Sequence, residues 1–192
     1  MSTPLLLMSH MHSTIPHFKK KLPSVDLHHG FPPEKIDLAN YSANKSIILV
    51  GLPGAFTPTW SSRQVPSYQE LQNTLKEKAG VDEIIIYCVN DGAVMKAWAE
   101  DQMIDPDGMI QFMGDPEGAL TRTLDMELRH PGPYSVGIIG RCKRFAVYAV
   151  NGEVKYVAVS EREDDPAGDD YPEDTLAEAL LDAILKHKND EL

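Results

Sequence analysis

The sequence predicts an α/β fold, a mixed central sheet with helices on both faces, and three observations predict it. Two apolar runs, Ile47-Ile48-Leu49-Val50-Gly51-Leu52 and Glu83-Ile84-Ile85-Ile86-Tyr87-Cys88-Val89, read as strands, the second as a central strand covered on both sides. Helix-period patterns follow each of them. Towards the C-terminus, Arg144 to Val150 and Glu153 to Val159 flank Asn151-Gly152, the signature of two strands joined by a type I′ turn. Strands alternating with helices, then a hairpin and a last helix, make a layered sandwich.

At 192 residues the chain is expected to form one domain, with residues 1–21 as a flexible leader, 22–188 as the domain and 189–192 as a tail. The leader holds no acid, its Leu5-Leu6-Leu7-Met8 is too short for a secretory core, and no Arg precedes Arg63, unlike an Arg-rich transit peptide. Met8, His10, Met11 and His12 are donors a soft metal could use, but a loose tail is the simpler reading, and neither metal nor cofactor is expected. Asn189-Asp190-Glu191-Leu192 is one residue away from an ER-retention tail; without a signal peptide it reads as coincidence.

Residues 22–44 are a Pro-punctuated approach, with a turn at Phe31-Pro32-Pro33 and then a short strand or helical turn. After strand 47–52 comes Pro53-Gly54-Ala55-Phe56-Thr57-Pro58-Thr59-Trp60, a strand-to-helix crossing. From near Ser61, Val65, Tyr68, Leu71, Leu75 and Ala79 mark one helix face. Pro66 should kink that helix, and Gly80 should end it. Asn90-Asp91-Gly92 caps a helix from Ala93 to about Met103, and Met109 to Met113 is a short strand. Asp115, Pro116 and Glu117 predict a helix start with Asp115 as N-cap, running to about Leu124. His130 to Tyr134 is a Pro/Gly loop. Residues 161–174 hold eight acids and one Arg and read as a solvated loop, their spacing being wrong for calcium. Residues 175–188 form a last amphipathic helix, burying Leu176, Leu180, Ile184 and Leu185. Tyr68 and Trp98 read as core aromatics.

A net charge of −11 argues against nucleic acid and anionic membrane surfaces as partners, and no apolar run approaches the roughly 20 residues of a membrane span. Two cysteines, Cys88 and Cys142, make no disulfide scaffold, so a reduced intracellular setting is expected, the cytoplasm first and an organelle second.

The string Gly51-Leu52-Pro53-Gly54-Ala55-Phe56-Thr57-Pro58-Thr59 resembles the active-site segment of the peroxiredoxins, in their type II or peroxiredoxin V group. Val65-Pro66, Val89-Asn90-Asp91, Met95-Lys96-Ala97-Trp98 and Lys143-Arg144-Phe145-Ala146 are similar in kind and order, and the resemblance covers about residues 22–188. It implies a thioredoxin-like fold and a thiol peroxidase that reduces hydrogen peroxide or alkyl hydroperoxides. In that family the segment Pro-x-x-x-Thr-x-x-Cys ends in the peroxidatic cysteine, whose thiolate is stabilised by a helix N-terminus and an Arg. Carried over, Pro53 shields the site, Thr57 hydrogen-bonds the peroxide, Arg144 is the cation, and the nucleophile's position is Trp60. Gln64 and Ser67 stand where His and Gly are common. The resemblance also implies a homodimer and, for a cysteine-containing form, a thiol reductant: glutaredoxin, thioredoxin or glutathione.

Tryptophan offers no ionisable thiol, only an indole N–H donor, and is far larger than cysteine. The pocket would have to open, or the first helical turn unwind. The chain as written is therefore expected to be inactive as a peroxidase, either as an engineered variant or as a natural pseudoenzyme. A non-catalytic protein using the fold as an interaction module is the alternative. Cys142 shares a strand face with Arg144 if that segment is already extended, and so could approach the site. Cys88 reads as an inert core thiol, and neither clearly matches a resolving cysteine.

Overall fold

The computed structural model describes residues 18–57 and 60–190, Trp60 by its backbone alone. The soft-metal candidates Met8, His10, Met11 and His12, the side chain of Trp60 and the last two residues of the tail lie outside the described residues.

Alternating apolar runs build one seven-stranded sheet of order β2-β1-β5-β4-β3-β6-β7. Its centre is parallel: β3 (Ser46–Gly51), β4 (Glu83–Cys88) and β5 (Ile110–Gly114). On one side β6 (Arg144–Val150) runs antiparallel to β3, and β7 (Glu153–Ser160) to β6. On the other side β1 (Asp26–His29) runs antiparallel to β5 and to the edge strand β2 (Glu34–Asp37). The approach segment thus supplies a strand hairpin and then a single helical turn, α1 (Leu38–Tyr41), capped by Asp37.

Strand alternation splits the core in two. Ile48, Val50, Ile84, Ile86, Cys88, Phe112, Ala146 and Tyr148 face α2 (Val65–Ala79), α3 (Gly92–Asp101) and α6 (Ala177–Asp190). Ile47, Leu49, Ile85, Tyr87, Phe145 and Val147 face α1, α4 (Ala119–Thr123) and the Cys142 segment. The expected two-faced cover is present, and Tyr68 and Trp98 are fully buried as predicted.

Three local expectations change. The helix after the motif does not begin as α at Ser61. Trp60–Gln64 is a π-helical turn, and α2 starts at Val65 with Pro66 in its first turn. Proline has no N–H for the carbonyl of Ser62, so the regular ladder begins beyond it, where a first-turn proline is tolerated. Gly80 ends α2 in the left-handed conformation, φ 64°. Asp115 does not sit directly at a helix start. The turn closed by Gly118 N–H on Asp115 C=O (2.9 Å) takes up Pro116 and Glu117. The buried Asp115 carboxylate reaches over that turn to the amides of Leu120 and Thr121, at 3.2 and 3.0 Å, an N-cap's work from three residues before the N-cap Gly118. Lastly, the Pro/Gly loop contains a short helical turn, α5 (Pro131–Ser135).

The sheet edges are blunted. Residues 18–21, expected in the leader, lie along the ribbon: Lys21 bridges to Glu153, Val154 N–H donates to Lys20 C=O (2.9 Å), and the Phe18 ring lies 6.5 Å from that of Phe145. At the other edge β2 carries Glu34, Lys35 and Asp37. Among the described residues no helix is long and apolar enough to cross a membrane.

Candidate functional site

The site lies where β3 runs out. Leu52 extends the ladder with its N–H on Tyr87 C=O (3.0 Å), and Pro53 is buried behind it. The chain then turns sharply, with Phe56 at φ 60°. The Thr57 hydroxyl donates to Gly54 C=O (3.1 Å), and its carbonyl accepts Ser61 N–H (3.2 Å). Thr57 is therefore a turn-closing residue here. Two side chains from elsewhere brace the turn. Asn90, two residues past the end of β4, accepts from Ala55 N–H (3.3 Å) and from Arg141 Nη1 (2.7 Å). Trp98 Nε1 donates to Ser61 Oγ (3.0 Å), pinning the π-helical turn against α3.

Arg144 opens β6 and is wholly buried. Its Nη1 donates to Gln64 Oε1 (2.8 Å), on the last residue of the π-helical turn. Gln64 is aimed by its own Nε2, which donates to Thr175 C=O (2.6 Å), as does the Tyr68 hydroxyl (2.8 Å). The structure thus joins the predicted cation to the predicted active-site helix through Gln64, a position that reads as a minor departure in the sequence.

The acidic segment 161–174 is solvated over most of its length, as expected, but it is not merely a surface loop. It folds onto Arg144, whose Nη2 donates to Asp169 Oδ1 (2.9 Å) and whose Nε faces Ala167 C=O (3.4 Å). Asp165 organises the segment. Its buried carboxylate accepts the amides of Asp169, Asp170 and Tyr171 at 2.8, 3.0 and 3.0 Å. Burial lowers the Arg144 guanidinium to about 10, against the attraction of Asp169. Burial likewise raises Asp169, against the pull of Arg144. Sequence reasoning missed both carboxylates, because eight acids in fourteen residues look like a charged surface. The available signal was the Pro166-Ala167-Gly168 turn set inside them.

The expectation that Cys142 shares a face with Arg144 fails. The segment before β6 is not a regular strand: Cys142 bridges to Glu127 instead and turns into the opposite half of the core, beside Tyr87 and Phe145. Its Sγ donates to Leu52 C=O (3.1 Å). Burial pushes this thiol up to about 12. Cys88, fully buried in β4, is pushed well above its ordinary range by the same cause. Neither is poised as a thiolate, and both are unpaired. Among the described residues no cluster of His, Cys, Asp and Glu could hold a metal ion.

Comparison with known proteins places this geometry. The Redoxin family pattern matches residues 14–178. Peroxiredoxin-2C of Oryza sativa subsp. japonica is 37% identical over 129 residues, covering 67% of this chain and 75% of that protein. The hybrid peroxiredoxin hyPrx5 of Haemophilus influenzae is 35% identical over 144 residues, and the chain spans 54% of that relative's length. Among solved structures, reduced Prx3 from Vibrio vulnificus in complex with H2O2 superposes with a TM-score of 0.76 at 31% identity, over 89% of this chain and 97% of that one. The sheet and its helices are the thioredoxin-like fold of these proteins, and this chain belongs to the peroxiredoxin family of redoxins.

Proposed function

We propose that this chain is a thiol-peroxidase scaffold that does not turn over peroxide, because Trp60 stands where the motif Pro-x-x-x-Thr-x-x-Cys carries its nucleophile. The observation that carries the reading is the state of the two remaining thiols. Both are fully buried and raised, and Cys142 donates its hydrogen to Leu52 C=O rather than facing Arg144. A thiol held protonated is a poor nucleophile towards peroxide.

The remaining roles follow from the family. Arg144 is the cation of the pocket and Pro53 its shield. Thr57 is the hydroxyl that would meet the peroxide on release from Gly54 C=O, and Trp60 replaces the reactive atom. The Vibrio vulnificus relative holds H2O2 in its structure. Peroxide as substrate and thioredoxin, glutaredoxin or glutathione as reductant belong to the cysteine-containing form. Two unpaired cysteines fit an intracellular compartment.

The test is hydrogen-peroxide consumption with a thiol reductant. This chain is expected to be silent, and Trp60→Cys to exceed it by on the order of 10³-fold or more, the scale of restoring a nucleophile. Turnover by the unaltered chain overturns the reading and makes Cys142→Ser the next variant.

A second reading, a non-catalytic interaction module, is favoured by exposed apolar side chains on the loops. Phe56, Ile139 and Val136 are 50%, 64% and 74% exposed. A homodimer through these loops is its simplest form. Size-exclusion of this chain against Val136→Asp and Ile139→Asp tests it, and a monomer throughout removes it.

A further inference from the structure

A cavity of about 310 Å³ opens at the end of β3 away from Pro53, beside Ser46. Its walls include Ser46, Gly80, Tyr148, Lys155, His187 and Lys188, and no Asp or Glu lines it, in a chain whose net charge is −11. Lys155 reaches it through an irregularity of the sheet. Tyr148 pairs with Tyr156 and Ala149 with Val154, so Lys155 is an extra residue in β7. A bulge of this kind re-aims a side chain, and here Lys155 joins Tyr148 on the cavity wall. Lys188 comes from the last turn of α6. One of its hydrogens goes to Ala79 C=O (2.6 Å), which leaves two. Tyr148 is 1% exposed, its hydroxyl oxygen accepts from Ser46 Oγ (3.2 Å), and among the described residues nothing accepts its own hydrogen. A buried donor without an acceptor is uncommon. The acids nearby are engaged elsewhere or weakly: Asp82 accepts Ser46 N–H (2.7 Å), and Glu153, its side chain 58% exposed, forms a surface ion pair with Lys155 (3.2 Å).

We propose that this cavity binds a small soluble phosphate monoester, whose phosphate oxygens take hydrogens from Lys155, Lys188 and the Tyr148 hydroxyl. The two ammonium groups act as point charges for the phosphate, and the buried hydroxyl adds one directed bond. The volume lies at the lower end of the ~300–1,000 Å³ typical of ligand cavities, which suits an organic part of a few carbons lying against Val150. A net charge of −11 turns the chain away from anionic bilayers, so the phosphate belongs to a dissolved molecule rather than to a lipid headgroup. The length of β3 separates this cavity from Pro53, and neither Thr57 nor Arg144 lines it. The inference therefore stands whether or not Trp60→Cys consumes peroxide.

The experiment is calorimetric titration with glycerol 3-phosphate at constant ionic strength, on this chain, on Lys155→Gln, on Tyr148→Phe and on Lys96→Gln, which makes the same change in net charge on α3. The unaltered chain is expected to bind saturably, Lys155→Gln at least five-fold and Tyr148→Phe at least three-fold more weakly, and Lys96→Gln to match the unaltered chain. Absence of saturable binding overturns the proposal, as do equal affinities in all four chains. An equal loss in Lys155→Gln and Lys96→Gln also overturns it, by reducing the effect to overall charge. A second measurement needs no variant. Amide resonances of the unaltered chain are expected to shift with glycerol 3-phosphate at Ser46, Gly80, Lys155 and Lys188 and to stay in place at Thr57 and Arg144. Shifts centred on Arg144 overturn the assignment of the cavity. Sedimentation of the chain with vesicles of phosphatidic acid in phosphatidylcholine, lost in Lys155→Gln, overturns the soluble ligand.

Discussion

The β6–β7 ribbon ends in two ways. At its far end Asn151 and Gly152 reverse the chain at φ 51° and 72°, the two left-handed positions of a type I′ turn, whose twist matches the strands it joins. At its near end the chain leaves Ser160, crosses over Arg144 and returns to α6 through eight acids. The first reversal is written in two adjacent residues. The second depends on a carboxylate placed to collect three amides and on a cation sixteen residues upstream of Ser160, at the start of β6. A local rule specifies the reversal of the hairpin, whereas the acidic segment takes its path over Arg144 from a contact with a distant strand.

Breaking each end measures the difference. Asp165→Ala should have the larger effect. It removes a buried charged acceptor from three backbone N–H groups and is expected to cost about 3 kcal/mol by urea denaturation, some of the loss being recovered by water. A loss below ~1 kcal/mol would put both ends on the same footing. Alkali probes the near end next, through Cys142, two residues before Arg144. Its folded value of about 12 lies above the ordinary 9.0. The stability this contributes is complete below pH 9 and is lost as pH climbs towards 12, at no more than ~1.4 kcal/mol per pH unit per thiol. The window to read is pH 9–10. Above it the raised tyrosines 41, 68 and 87 steepen the fall, and the lowered Arg144 works against it. Cys142→Ser, which keeps a donor for Leu52 C=O, should flatten the curve in that window; an unchanged slope would mean the thiol is not held protonated. The smallest change is expected at the hairpin. Asn151→Ala should cost about 1 kcal/mol for a left-handed backbone without a suitable residue. Asn151→Gly should lose less, giving up mainly the bond its side chain accepts from Asn44 N–H.

The same contrast explains what could be read from the sequence. The central strand covered on both faces, the hairpin, Gly80 as a helix end and the inward-facing Tyr68 and Trp98 are each specified by residues within a few positions of one another, and each is found as expected. The π-helical turn, the displaced Asp115 cap and the cover over Arg144 are not. Pro66 announces an interruption, but its form is settled by Trp98 reaching Ser61 and Thr175 reaching Gln64, partners 37 and 111 residues away. The site follows suit. Pro53, Thr57 and Arg144 are legible through their motif, while Gln64, Asn90, Asp165 and Asp169 acquire meaning only when distant segments meet. Cys142 illustrates a false inference from period: two residues before a strand is not yet strand, and its side chain turned the other way.

The blunted sheet margins constrain how this molecule can meet itself. An open strand edge invites another chain to lengthen the sheet by main-chain hydrogen bonding. At one margin Lys20 to Leu22 already occupy the first backbone groups of β7, and at the other a four-residue strand presents Glu34, Lys35 and Asp37. Growth into ribbons by strand addition is thereby discouraged, in the intact fold and in variants that loosen the acidic segment alike. Self-association is left to surfaces that recognise side chains, which can be tuned residue by residue.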